Sequence, residues 1–142
     1  VEKILYQKSG LLGISGISND MRDLVDNSDP RARLAVEYFV YQAVKHIGAL
    51  AAVLGGVDAL VFTAGIGERS AVIRRRLCEA SAWLGLALDA TANEHHGPRI
   101  TRADSRVSAW VIPTNEELMI ARHAGTLLGI PGLGAETARS EE

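Results

Sequence analysis

The chain has 142 residues, enough for one compact core, with 47% hydrophobic and 23% charged residues. A net charge of −2 excludes the strongly basic surface that nucleic-acid binding requires, and no apolar stretch reaches membrane-spanning length. The single cysteine, Cys78, excludes an intramolecular disulfide and a thiolate metal site. It falls among Val72, Ile73 and Leu77, so it reads as a buried free thiol, which suits a reducing, cytoplasmic setting. Val1-Glu2-Lys3 has the character of neither a signal peptide nor a transit sequence.

In chain order, residues 1–8 read as the tail of a helix that runs into a Gly/Ser-rich stretch, Ser9 to Gly16, suited to irregular backbone. Ser18 is placed to cap a short helix beginning at Asn19-Asp20. Asp29 before Pro30 gives an N-cap and a first-turn proline. Apolar residues then recur at helical spacing from Ala32 through Val36, Val40, Val44 and Ile47 to Leu50 and Leu54, until Gly55-Gly56 ends the helix. A buried-strand pattern, Ala59 to Phe62, leads through Gly65 and Gly67 into a helix over residues 70–80. Within it, Arg74-Arg75-Arg76 reads as a solvated helix end. Short strands are expected at 86–88 and 107–112, with a polar, unassigned segment at 90–102 between them. Thr114 starts a last helix to Leu128, stopped by Gly129, and the final residues read as a disordered tail. Helix, strand, glycine turn and helix together predict an α/β fold.

Three motifs carry candidate chemistry. Phe62-Thr63-Ala64-Gly65-Ile66-Gly67-Glu68-Arg69-Ser70 is a strand ending in close glycines before a helix, where backbone amides and the helix dipole favour phosphate. It is neither a Rossmann fingerprint nor a Walker loop, and an unliganded tight turn accounts for it equally well. In Ile112 to Leu118, Thr114 and Glu117 have capping-box spacing, which leaves Glu116 either to complement the helix dipole or to hold Mg²⁺. In Ser18 to Asp23, Asp20 suits a ribose hydroxyl and Arg22 suits a base or a phosphate, though an ordinary acidic helix start fits too. The four histidines form no zinc pattern, and no serine sits in a nucleophile elbow.

Taken together, Ser9-Gly10-Leu11-Leu12-Gly13 with Ser18 to Asp23, Phe62 to Glu68, and Ile112 to Leu118 resemble, in order and spacing, the carboxy-terminal domain of acetate kinases. The resemblance runs to about Gly129. It implies a ribonuclease H-like domain of the superfamily of sugar kinases, actin and heat-shock chaperones, and transfer of the γ-phosphoryl of ATP to acetate with Mg²⁺. Residues 1–130 would be the nucleotide-binding domain, incomplete at its amino end, and 131–142 a tail. By position, Asp20, Met21 and Arg22 would line the adenosine pocket, and Gly65, Ile66, Gly67, Glu68 and Arg69 would form the loop beside the nucleotide. Glu116 would be the magnesium-associated carboxylate. Relatives often carry an aromatic residue at 21 and Asn at 69, where this chain has Met21 and Arg69. The family's phosphate-binding, acyl-binding and catalytic groups lie upstream, so no catalytic residue is assigned here and the chain alone is expected to be inactive. The resemblance also implies a homodimer, and propionate or butyrate as alternative acceptors. A non-catalytic nucleotide-binding or dimerisation module is the alternative of another class.

Overall fold

The computed structural model describes Glu2, Tyr6 and residues 8–130. The helix expected over residues 1–8 falls mostly, and the tail expected at 131–142 wholly, outside the described residues. The chain divides into two compact units, Val1–Ile112 and Pro113–Glu142.

The first unit opens with α1 (Gly10–Ser15) and α2 (Met21–Val25), both packed on the long α3 (Pro30–Leu54). The Gly/Ser stretch is therefore helical; Gly10, with φ of 61°, supplies the left-handed backbone at its start. The cap of α2 is Asp20, one position beyond the expected Asn19 start, and Ser18 instead accepts a hydrogen bond from the Asp20 amide at 3.0 Å. As the sequence predicts, Asp29 caps α3, its carboxylate accepting from the Arg31 amide at 2.8 Å, and Gly55 closes the helix with φ of 72°. Its buried face carries Ala32, Ala35, Val36 and Ala51, whereas Leu50 and Leu54, expected inside, are 62% and 71% exposed.

After α3 come β1 (Ala59–Phe62), α4 (Ala64–Arg69), α5 (Ala71–Ala80), a 3₁₀ turn (Ala82–Leu84), α6 (Ala90–Glu94) and β2 (Ser108–Val111). The strands pair in parallel, Ala59 opposite Ser108 and Phe62 opposite Val111. Parallel pairing needs a crossover, and α4 to α6 provide it. Residues 86–88 form isolated bridges to Val107 and Thr101 rather than a full strand. The expected buried strand is only half so: Phe62 is inside, while Val61 is 49% exposed. The core gathers Leu24, Phe62, Ile73, Leu77, Ile100 and Ala109, together with Cys78, whose thiol burial pushes up to about 11.

The second unit holds α7 (Glu116–Leu128). Its N-cap is Asn115, whose side chain accepts from the Leu118 amide at 2.9 Å, so the helix starts one residue later than a Thr114–Glu117 capping box requires. Gly129 ends it in the left-handed conformation, as expected. Among the described residues, no helix is long and apolar enough to cross a membrane.

Candidate functional site

One wall of the site is the start of α2. Asp20 caps the helix through the Arg22 amide at 2.9 Å and takes two hydrogen bonds from Arg22 Nε, both at 3.1 Å. Those bonds hold the Asp20 carboxyl down to about 2 and raise the Arg22 guanidinium, so both stay charged on an exposed surface. Between them Met21 turns inward and is 3% exposed.

The opposite wall is α4. The pattern Thr63 to Ser70 is a short helix rather than a simple glycine turn, and its left-handed residue is Ala64, with φ of 57°, not a glycine. Glu68 folds back so that its carboxylate accepts from the Ala64 amide at 2.7 Å, satisfying a donor that the helix leaves unpaired. The two glycines differ. A Cβ on Gly67 would stand 3.2 Å from the Phe62 carbonyl carbon, whereas one on Gly65 would meet nothing within 4 Å. Gly67 thus lets α4 sit on the end of β1, and Gly65 faces open space. Ser70 ends α4 and caps α5 through the Ile73 amide.

These walls enclose a cavity of about 620 Å³, a size suited to a small molecule or cofactor. Of the eight residues expected beside a nucleotide, Asp20, Met21, Arg22, Gly65, Ile66 and Arg69 line it. Gly67 and Glu68 do not; they shape α4 from within. Glu94, the last residue of α6, and His96, just after it, also line it, although the sequence alone left their segment unassigned. The readable signal there was Asp89, which caps α6 by accepting from the Ala92 amide at 2.9 Å. Arg74 corrects a second expectation: it is wholly buried beneath α4, not solvated at a helix end.

Glu116 lies in the first turn of α7, in the second unit. Among the described residues, no three potential metal-ligating side chains gather, and Mg²⁺ is commonly held by only one or two protein carboxylates, which a residue such as Glu116 can supply.

A cavity past the carboxyl end of a parallel strand, walled by a glycine-bearing helix, is an arrangement of the α/β class. The chain belongs to the acetokinase family, whose model matches residues 1–122. It is 57% identical over 129 residues to the acetate kinase of Rhodopseudomonas palustris (strain TIE-1), covering 89% of this chain and 32% of that protein. The crystal structure of acetate kinase from Entamoeba histolytica matches with a TM-score of 0.82 at 34% identity, over 91% of this chain and 36% of that one. A propionate kinase from Francisella tularensis subsp. tularensis SCHU S4 matches with a TM-score of 0.77 at 40% identity, over 84% and 32%. The chain thus spans about a third of the length of the relatives it matches.

Proposed function

We propose that this chain forms the nucleotide-binding part of an acetate kinase, which transfers the γ-phosphoryl of ATP to acetate to give acetyl phosphate and ADP. The observation that carries the reading is the shared cavity: motifs some forty residues apart in sequence, Asp20-Met21-Arg22 and Gly65-Ile66, line one pocket. In this reading the exposed Asp20 carboxylate accepts from ribose hydroxyls, and Met21 and Ile66 supply apolar surface for the adenine. Arg22 and Arg69 supply positive charge, and Gly65 leaves room for close approach by the ligand. Gly67 and Glu68 act by holding α4 in shape. Magnesium, when bound, neutralises charge on the phosphate oxygens, and Glu116 is its protein carboxylate.

Phosphoryl transfer depends on positioning and charge neutralisation around the transferred group. The family's groups for those tasks belong to the part of the relatives that this chain does not span, so the 142-residue chain alone should make no acetyl phosphate. Joined to the amino-terminal two-thirds of the Rhodopseudomonas palustris enzyme, it should make acetyl phosphate in the presence of Mg-ATP. An inactive but folded chimera, or an active isolated chain, would contradict the reading. The likeness to a propionate kinase supports a second acceptor, so the assay includes propionate beside acetate. A homodimer in a reducing cytoplasm completes the proposal, supported by the exposed Leu34, Tyr38 and Tyr41 on α3 and by the unpaired Cys78.

A further inference from the structure

Arg74 is fully buried, and its guanidinium donates to an amide side chain and to backbone carbonyls. A buried charge is costly unless its donors are hydrogen-bonded. A guanidinium has five N–H donors, and here four of them have oxygen acceptors. Nε donates to Asn93 Oδ1 at 2.8 Å; Nη1 donates to the carbonyls of Gly67 at 2.9 Å and Glu68 at 2.8 Å. Nη2 donates to the Asn93 carbonyl at 2.7 Å and faces His96 Nδ1 at 3.1 Å. Asn93 is itself fully buried, and its amide donates to the Ala71 carbonyl at 2.9 Å.

The acceptors fall into two groups on different walls of the cavity. Gly67 and Glu68 are the last turn of α4, whose Gly65, Ile66 and Arg69 face the cavity. Asn93 and His96 flank Glu94, and Glu94 and His96 face the cavity from the other side of the guanidinium. The carbonyl end of α4 is also where the helix dipole favours a cation. His96 Nδ1 stands 3.1 Å from Nη2 and 2.9 Å from the Glu68 carbonyl, so this ring nitrogen reaches both the guanidinium and the end of α4. We propose that Arg74 is the positioning residue of the pocket: it joins the end of α4 to α6 and the turn after it, and so fixes two cavity walls at one separation.

This goes beyond the nucleotide reading in naming what holds the pocket's shape, and only its ligand-binding arm rests on that reading. The test uses the full 142-residue chain and Arg74→Lys, which keeps the charge but has three donors in place of five. Amide hydrogen exchange in residues 64–69 and 94–97 should rise about tenfold or more, while exchange in the middle of α3 stays within about twofold. ATP, where the wild-type chain binds it, should bind about tenfold more weakly. Loss of protection spread evenly through the chain, or unchanged protection in both segments, overturns the proposal. A wild-type chain that shows the exchange pattern but binds no ATP overturns the nucleotide reading alone. Should Arg74→Lys fail to fold, His96→Ala removes, from an exposed position, the ring that contacts both the guanidinium and the Glu68 carbonyl. Exchange in 64–69 should still rise, and no change there overturns the proposal.

Discussion

Asp20 and Arg22 are neighbours on one turn, and their charges set the electrostatics at the mouth of the pocket. The hydrogen bonds from Arg22 hold Asp20 at about 2 instead of 3.8. A depressed carboxyl stabilises the fold above its unfolded value and loses that contribution as pH falls through its folded value, here between about 4 and 2. A carboxyl ¹³C titration should therefore give Asp20 a midpoint near 2, and Arg22→Gln should return it towards 3.8. A midpoint that ignores the substitution would mean the pairing is not formed in solution. Asp20 and Arg22 were legible as candidate ligands only through the resemblance of three motifs in order and spacing, because a capped helix start accounts for the same residues. Arg74 and His96 were not. The His96 ring meets the carbonyl of Glu68, 28 positions away, and no local pattern encodes such a contact. Three consecutive arginines gave the same reading for all of them, although Arg74 lies inside and Arg75 reaches towards Glu94 at the surface.

Among the elements, α3 shows what periodicity captures. Its caps, Asp29 and Gly55, fall where the sequence put them, since each follows from a local backbone requirement. The same pattern overstated its buried face at Leu50 and Leu54, because periodicity reports which side is apolar and not what covers it. The element α4 was missed as a helix because two glycines in four residues read as a turn. Its two glycines permit a sharp comparison. Gly67→Ala places a methyl against the Phe62 backbone and should destabilise the chain by about 1–3 kcal/mol in urea melts. Gly65→Ala adds a methyl in open space within a helix, so stability should hold or rise by up to about 1 kcal/mol. Yet the added methyl narrows the pocket, and nucleotide affinity should fall at least about tenfold by calorimetry. Equal effects of the two changes on stability would refute the division between a packing glycine and a pocket glycine.

For the whole molecule, the α/β class was readable from element order, but the sheet's extent was not. Among the described residues it has two strands, and Val61 on β1 stays half exposed. Val53, Leu54 and Trp83 are also largely uncovered. Apolar surface of this kind favours association with further chain. Joining the chain to the amino-terminal two-thirds of the Rhodopseudomonas palustris acetate kinase should raise the melting temperature of its folded core by at least about 5 °C and reduce binding of an apolar dye. No gain would mean that those side chains remain in solvent in the longer protein. The parallel register has a further, kinetic consequence. Ala59 pairs with Ser108, so β1 waits for a partner 49 positions later, the difference between 108 and 59. At about 5–20 residues per second, a ribosome takes roughly 2–10 seconds to make that stretch. During those seconds β1 has an open edge, and a nascent chain stalled before Ser108 is the species most exposed to aggregation or to a chaperone.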